Sequence, residues 1–141
     1  MFDLSASVKP DAAITPEDLA PHMGAVEKGD IVLLHTGYGQ KRGFSPDYLL
    51  KYPYVGGPAG EMLAAAGVKG VGTDALSIGC FGSPEKAGPG HVVLLSNNIF
   101  LIEELCIPAA LLDGKKRYIT AFPLFMQGCS GAPVRAVMLE F

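Results

Sequence analysis

The sequence predicts a mixed α/β fold, a central sheet flanked by short helices. Residues 31–34 are apolar at every position, which is typical of a strand buried on both faces. Residues 59–66 place apolar side chains on one helical face, and a second apolar strand is predicted at 68–72. This strand–helix–strand order favours a parallel sheet. Residues 117–122 and 134–141 are rich in β-branched and aromatic side chains and predict an antiparallel pair.

Local signals predict the remaining elements. Residues 2–8 alternate between apolar and polar, which indicates a short strand. Thr15 followed by Pro16 is a strong helix start. Residues 78–90 are rich in Gly and Pro and are interpreted as a loop that could act as a lid. A helix is then predicted for residues 91–97.

The length predicts one domain over residues 1–141, and the composition predicts that another chain covers part of its surface. At 141 residues the chain has the length of a single domain. Apolar residues make up 49% of the chain and charged residues only 18%, against a typical charged fraction of ~25%. Such an excess of apolar side chains on a short chain indicates surface that another chain covers. We therefore expect a homo-oligomer or a complex with a second chain.

Charge and hydropathy argue against two partner classes. The net charge is −3, and the only basic run, residues 115–117, follows the turn signal Asp113-Gly114. Because no basic stripe or aromatic RNA motif accompanies this run, we expect no nucleic-acid binding. No apolar run reaches the ~20 residues of a membrane span, and no basic-then-apolar leader is present. We therefore expect no membrane partner.

The cysteines indicate a reducing compartment. Their number is odd and their spacing matches no metal motif; they are Cys80, Cys106 and Cys129. Free thiols in the cytoplasm are the simplest interpretation.

The segment from residue 90 to 106 carries the most informative chemistry. His91 and Glu103 stand twelve positions apart with an almost unbroken apolar run between them. One interpretation is a histidine at a helix start and a glutamate at a strand end, both half-solvated. The other is a pair of metal ligands, since imidazole and carboxylate suit zinc or manganese. Spacing alone leaves both interpretations open.

Three further residues are candidates for contact with a substrate. His35 and Tyr38 follow a buried strand, and ligands of α/β folds bind at the carboxyl ends of strands. Phe81 is the one aromatic side chain of the predicted loop and could cover a ring. His35 could equally serve only to satisfy a backbone group. For Asp74, at the end of the next strand, we favour an architectural role over metal ligation.

Four segments, in order along the chain, resemble the cyclase family of metal-dependent hydrolases, which includes kynurenine formamidase and isatin hydrolase. They are residues 30–37, 67–77, 91–105 and 133–137. The resemblance runs from about residue 3 to residue 141 and covers the C-terminal two-thirds of the family pattern. It implies the swivelling β/β/α fold of that family, truncated at the N-terminus.

The resemblance also implies a function and a metal site. In the family, the residues that match His91 and Glu103 complete a site for a divalent metal, here zinc or manganese. The family signature His-x-Gly-Thr-His-x-Asp supplies most of the other ligands and is absent from this chain. The sequence is thus expected to hold half of a metal site, and its catalytic acid or base stays unassigned.

Three functions follow as alternatives. The first is a hydrolase of an amide, lactam or lactone, of the kynurenine formamidase (arylformamidase) type that serves tryptophan catabolism. Its small substrate would be aromatic or contain a ring. Either a second chain would supply the missing ligands, or the sequence would be a truncated form of such a hydrolase. The second is a non-catalytic ligand-binding protein derived from that family, and the third is an interaction module without a ligand.

Overall fold

A parallel sheet forms the centre of the molecule. The computed structural model describes residues 1–140, except for the side chain of residue 87. Its strands are β1 Phe2–Asp3, β2 Ala13–Ile14, β3 Ile31–His35, β4 Tyr54–Val55, β5 Gly70–Thr73, β6 Phe100–Ile102, β7 Tyr118–Pro123 and β8 Val134–Leu139. Strands β1, β3, β5 and β6 lie side by side in that order, and each neighbouring pair is parallel. The predicted mixed α/β fold class is confirmed.

Short helices connect these strands. They are α1 Pro16–Met23, α2 Pro46–Leu50, α3 Gly57–Ala65 and α4 Pro84–Ser96, with 3-10 turns at Tyr38–Lys41 and Ala109–Leu111. Helices α3 and α4 pack against each other, and α1 contacts α3. No helix among residues 1–140 is long and apolar enough to cross a membrane.

Local chemistry explains how two of the helices are bounded. Thr15 precedes α1, and its hydroxyl accepts a hydrogen bond from the backbone N–H of Asp18 while the Asp18 carboxylate accepts from the N–H of Thr15. This capping box satisfies two donors that a helix start leaves open. After α3, Gly67 adopts φ of +71°, a left-handed conformation that favours glycine and ends a helix. The helix start at Thr15 agrees with the prediction from sequence.

The core lies between the sheet and the helices α1, α3 and α4. It is built from the following buried side chains: Phe2, Leu4, Ile14, Leu19, Val32, Leu34, Val55, Ala59, Leu63, Val68, Val71, Ile78, Leu94 and Ile99. This core fixes one face of the sheet to a layer of helices. On the other face, Gly72 of β5 leaves room for Leu33 and Leu105, because a Cβ at Gly72 would stand 2.6 Å from a side-chain carbon of each.

Two predicted elements differ from the structure. The predicted strand 2–8 ends at Asp3, because the Asp3 carboxylate accepts hydrogen bonds from the backbone and hydroxyl of Ser5 and closes a turn. The prediction of a loop over residues 78–90 was wrong beyond residue 83, since α4 begins at Pro84 and contains Pro89. A proline at the first helical turn is favourable, whereas Pro89 removes one internal hydrogen bond. Packing on α3 compensates for that loss.

The end of the chain forms a separate hairpin. Strands β7 and β8 are antiparallel, with Tyr118 opposite Leu139 and Pro123 opposite Val134. The prediction of an antiparallel pair is confirmed, although residue 141 of the predicted second strand lies outside the described residues. The hairpin forms a two-stranded sheet distinct from the parallel one.

Candidate functional site

The carboxyl ends of three parallel strands bring polar side chains to one edge of the sheet. His35 is the last residue of β3, Asp74 follows β5 and Glu103 follows β6. Because β3, β5 and β6 are neighbours and parallel, these residues meet at the same edge, where ligands of α/β folds bind.

Glu103 is held by the loop that follows β5. The Ser77 hydroxyl donates a hydrogen bond of 2.7 Å to Glu103 Oε1, and the backbone N–H of Ile78 donates one of 2.8 Å to the same oxygen. The Glu103 side chain is 37% exposed. The carboxylate is therefore oriented by two donors, and these contacts do not use its second oxygen, Oε2.

His91 faces this carboxylate from α4. Its Nε2 atom lies 3.4 Å from Glu103 Oε1, and its side chain is 32% exposed. The helix is set close to β4 by Gly90, where a Cβ would collide with the carbonyl oxygen of Val55. Since only glycine permits this approach, the residue before His91 determines where the imidazole lies.

The surroundings of Glu103 favour its charged form. Burial raises the pKa of this carboxyl, but contact with His91 and hydrogen bonds from Ile78 and Ser77 act in the opposite direction. The net effect is a pKa below the ordinary value of a glutamate. An ionised carboxylate beside an imidazole nitrogen is a suitable pair of ligands for a hard or borderline divalent cation.

The described residues supply only part of a metal shell. Within residues 1–140, no group of three or more His, Cys, Asp or Glu side chains is placed to hold a metal ion. Zinc sites in proteins use three or four protein ligands. The donor set of His91 and Glu103 therefore fits the chemistry of a divalent metal but does not complete its coordination.

Asp74 is saturated with hydrogen bonds inside the fold. Its Oδ1 accepts from the backbone N–H and hydroxyl of Thr36, at 2.7 and 2.6 Å. Its Oδ2 accepts from the N–H groups of Gly37 and Gly39, at 3.0 and 3.3 Å. The residue is 2% exposed. These four contacts tie the loop after β3 to the end of β5, in keeping with an architectural role.

His35 lies between two carboxylates. Its Nδ1 is 3.0 Å from Asp3 Oδ1, and its Nε2 is 3.8 Å from Asp74 Oδ2. Hydrogen bonds from Ser5 and from His35 lower the pKa of Asp3 to about 2. Among residues 1–140, no hydrogen bond or ion pair joins His35 to Glu103. Contact of His35 with a substrate stays a prediction.

Tyr38 and Phe81 lie in different surroundings. Tyr38 is buried against Tyr52 and Ala75, whereas the Phe81 side chain is 64% exposed. The backbone N–H of Phe81 donates a 2.7 Å hydrogen bond to the Tyr52 hydroxyl, which itself donates to the carbonyl of Gly79. Tyr52 thus anchors the segment that presents Phe81. Substrate contact by Tyr38 or Phe81 stays a prediction.

Sequence reasoning missed Ser77 and Tyr52 as members of this region. Ser77 forms a hydrogen bond with Glu103, 26 positions away. Tyr52 forms hydrogen bonds with Gly79 and Phe81, 27 and 29 positions away. No local spacing pattern encodes such contacts. The only sequence signal was the position of Ser77 in the loop that follows a predicted strand, at the edge where ligands bind.

Comparison with known proteins establishes the family. The family described as "Putative cyclase" matches residues 1–79, more than half of the chain. The chain belongs to the cyclase family. An uncharacterised protein of Methanocaldococcus jannaschii is 33% identical over 110 residues, which are 78% of this chain and 54% of that relative.

Solved structures of cyclase-family type share the fold. A potential metal-dependent hydrolase with cyclase activity is 30% identical, with a TM-score of 0.74 over 97% of this chain and 61% of its own. A predicted metal-dependent hydrolase of Bacillus stearothermophilus is 29% identical, with a TM-score of 0.74 over 97% and 60%. An isatin hydrolase bound to thioisatinate is 23% identical, with a TM-score of 0.82 over 99% and 58%. The chain therefore spans between a half and two thirds of the length of these relatives.

Proposed function

We propose that this chain contributes to a metal-dependent hydrolase that opens an amide, lactam or lactone, of the arylformamidase type. The observation that carries the proposal is the 3.4 Å approach of His91 Nε2 to Glu103 Oε1 in a member of the cyclase family. Relatives described as metal-dependent hydrolases support the reaction class. The finer assignment, to an arylformamidase, rests on the sequence resemblance.

In this proposal His91 and Glu103 hold a divalent metal, zinc or manganese, and further ligands come from outside residues 1–140. A bound metal would lower the pKa of a water molecule towards ~7 and polarise the scissile carbonyl. Ser77 and the N–H of Ile78 keep the Glu103 carboxylate in place before the metal arrives. No residue is assigned as the acid or base.

A small aromatic substrate is the proposed ligand. Phe81 is the exposed ring nearest in sequence to the Ser77–Ile78 loop, and Tyr52 fixes its backbone. Tyr38 and His35 are proposed as parts of the wall behind the site. The third residue of that wall, Asp74, would act through the loop it anchors.

A titration with zinc or manganese tests the metal pair. We expect weak binding by the chain alone, measured against a competing chromophoric chelator, because two ligands give little chelation. His91→Ala and Glu103→Gln should abolish this binding. Glu104→Gln is the matched control, since Glu104 accepts a hydrogen bond from the Tyr48 hydroxyl instead of facing His91. Equal effects of Glu103→Gln and Glu104→Gln would refute the metal pair.

A second candidate is a ligand-binding protein of the same family without catalysis. The absence of a three-ligand group among residues 1–140 favours it. Isatin and an aryl formamide distinguish the two functions when they are added with zinc or manganese. Turnover that is lost in Glu103→Gln supports the hydrolase. Saturable binding of the ring compound without turnover, even with the remaining ligands provided, supports the binding protein.

A further inference from the structure

The backbone turns sharply at the residue that follows Glu103. Glu104 has a φ of +54°, in the left-handed region, where the Cβ of an L-residue lies too close to the following carbonyl oxygen. Among residues 1–140, the other non-glycine residues with a positive φ are Asp11 and Asn98, types that tolerate this conformation. A glutamate adopts it only where the surrounding structure enforces it. Glu104 therefore needs partners that hold its backbone.

The chain after Glu104 is fixed to the sheet. The backbone N–H of Leu105 donates a 2.9 Å hydrogen bond to the carbonyl of Thr73. The Leu105 side chain fills the space that Gly72 leaves on β5. Relaxation of φ at Glu104 would therefore leave Leu105 in place and rotate the peptide group on the other side, which joins Glu104 to Glu103.

Arg42 binds the carbonyl groups at this turn. Its Nη2 atom, which carries two N–H donors, lies 2.6 Å from the carbonyl oxygen of Glu104 and 3.2 Å from that of Leu105. Its Nε atom lies 4.0 Å from Glu104 Oε1. Before the turn, the backbone N–H of Glu104 donates to the carbonyl of Ala75 at 3.0 Å. Arg42 thus fixes the two peptide groups that follow the strained residue.

This contact joins two strands that are not neighbours in the sheet. Arg42 follows the 3-10 turn Tyr38–Lys41 in the loop after β3, 62 positions before Glu104. Strand β5 lies between β3 and β6, so the loop reaches over β5 to the end of β6. Asp74 ties the start of the same loop to the end of β5 through backbone N–H groups. The loop that carries Arg42 is therefore anchored at its base.

Two adjacent carboxylates diverge at the turn. The Glu104 side chain points to Tyr48, whose hydroxyl donates a 2.8 Å hydrogen bond to Glu104 Oε1. Tyr48 is 2% exposed, so this partner belongs to the buried structure. The Glu103 side chain instead points to Ser77 and His91. The backbone conformation at Glu104 thus separates the carboxylate that faces His91 from the one that does not.

We propose that Arg42 is a positioning residue, which holds the left-handed backbone at Glu104. In doing so it aims the Glu103 carboxylate at His91. The charge of Glu104 has no part in this role, because a glutamine there would keep the same backbone and an acceptor for its partner. The positioning concerns the protein without metal, and only its consequence for metal affinity rests on the proposed function.

Amide exchange at Ile78, measured by NMR without metal, tests the positioning. The Ile78 N–H donates to Glu103 Oε1 at 2.8 Å, so its exchange rate reports whether the carboxylate is in place. In Arg42→Ala this amide should exchange at least ~10-fold faster than in the wild type, close to its rate in Glu103→Ala. Lys41→Ala is the matched control and should leave the rate unchanged. It removes the neighbouring charge, which lies over the Tyr38 ring, 4.3 Å from the ring centroid.

A second substitution at Glu104 separates backbone strain from other roles of Arg42. Asparagine adopts the left-handed conformation more readily than glutamate. Adding Glu104→Asn to Arg42→Ala should therefore slow the Ile78 amide back to its wild-type rate. Adding Glu104→Gln should not, since glutamine is as strained there as glutamate. If Arg42→Ala does not fold, Arg42→Lys replaces it, because an ammonium keeps the charge but loses the planar guanidinium.

Three outcomes overturn the proposal. One is an unchanged exchange rate at Ile78 in a folded Arg42→Ala protein. Another is equal acceleration at Ile78 and at Val71, in the core of β5, because Arg42 would then only stabilise the fold. The last is failure of Glu104→Asn to restore the rate.

Zinc affinity, measured by chelator competition on the same variants, is a separate readout. Arg42→Ala should weaken it ~10–100-fold, as the loss of an outer contact does. If the amide rates change as expected but the wild type binds no zinc, the positioning of Glu103 stands and the proposed function fails.

Discussion

Two carboxylates at the same edge of the sheet have opposite surroundings. Asp74 is 2% exposed and accepts four hydrogen bonds from the loop after β3. The Glu103 side chain is 37% exposed, accepts two hydrogen bonds and faces an imidazole at 3.4 Å. The contacts of Asp74 use both of its carboxylate oxygens, whereas the contacts described for Glu103 use only Oε1. From this contrast we infer that a carboxylate whose oxygens are not all bound by the fold is the better candidate for a metal ligand.

The largest expected effect is on stability at Asp74. Asp74→Ala should lower the free energy of unfolding by ~3–5 kcal/mol, because it leaves buried donors of Thr36 and Gly37 without an acceptor. Urea unfolding measures this. Glu103→Gln should cost less than ~1 kcal/mol in the same assay, since its site is open to water. Equal losses for the two variants would remove the distinction between a structural and a functional carboxylate.

The second-largest expected effect is at Gly90, where substitution should lower both stability and, through the position of His91, metal affinity. Gly90→Ala should cost ~1–3 kcal/mol, because the new methyl group meets the Val55 carbonyl and pushes α4 away. The imidazole should move with the helix, so metal affinity should fall too. Gly88→Ala is the control on the same helix, where a Cβ meets nothing within 4 Å. That variant should gain up to ~1 kcal/mol from helix propensity. A stable Gly90→Ala protein with unchanged metal affinity would show that Gly90 does not determine the position of the imidazole.

Ser77 should affect metal binding while stability changes little. Ser77→Ala removes the 2.7 Å hydrogen bond that orients Glu103, and the loss of such an outer contact weakens metal affinity ~10–100-fold. Chelator competition with zinc measures the change. Ser77→Thr keeps the hydroxyl and should restore much of the affinity. If both variants bind metal as the wild type does, the backbone N–H of Ile78 alone orients the carboxylate.

The smallest effect concerns Asp3, the partner of the enclosed His35. The pKa of Asp3 is lowered from 3.8 to about 2, chiefly by the Ser5 hydroxyl and then by His35. A carboxyl whose pKa is lowered by folding stabilises the protein at pH values above its pKa in the unfolded state. This stabilisation is lost as the pH falls from ~4 towards ~2. Because the Asp3 side chain is 47% exposed, solvent screening keeps the effect small.

Urea midpoints at pH 5 and pH 3 test this pH dependence. Ser5→Ala should reduce the loss of stability between the two values. Ser7→Ala is the control, since the Ser7 hydroxyl donates to the carbonyl of Leu4 instead of to Asp3. A Ser5→Ala protein with the same pH dependence as the wild type would assign the low pKa to His35 alone.

Features that depend on neighbouring residues could be predicted from the amino-acid sequence alone. The helix start at Thr15, the apolar strand β3 and the β7–β8 hairpin were all predicted. In each case the interactions that define the element are local or follow a simple alternation of apolar residues, so the signal is contained in a short window.

The start of α4 and the surroundings of each carboxylate depend on contacts between residues that are distant in sequence. Residues 84–90 carry two prolines and two glycines, which alone favour a loop, yet packing against α3 makes them helical. Ser77 reaches Glu103 across 26 residues, and His35 reaches Asp3 across 32. Hydrogen bonds over such separations form only when the sheet brings the carboxyl ends of its strands together. For that reason no residue spacing in the sequence could predict them.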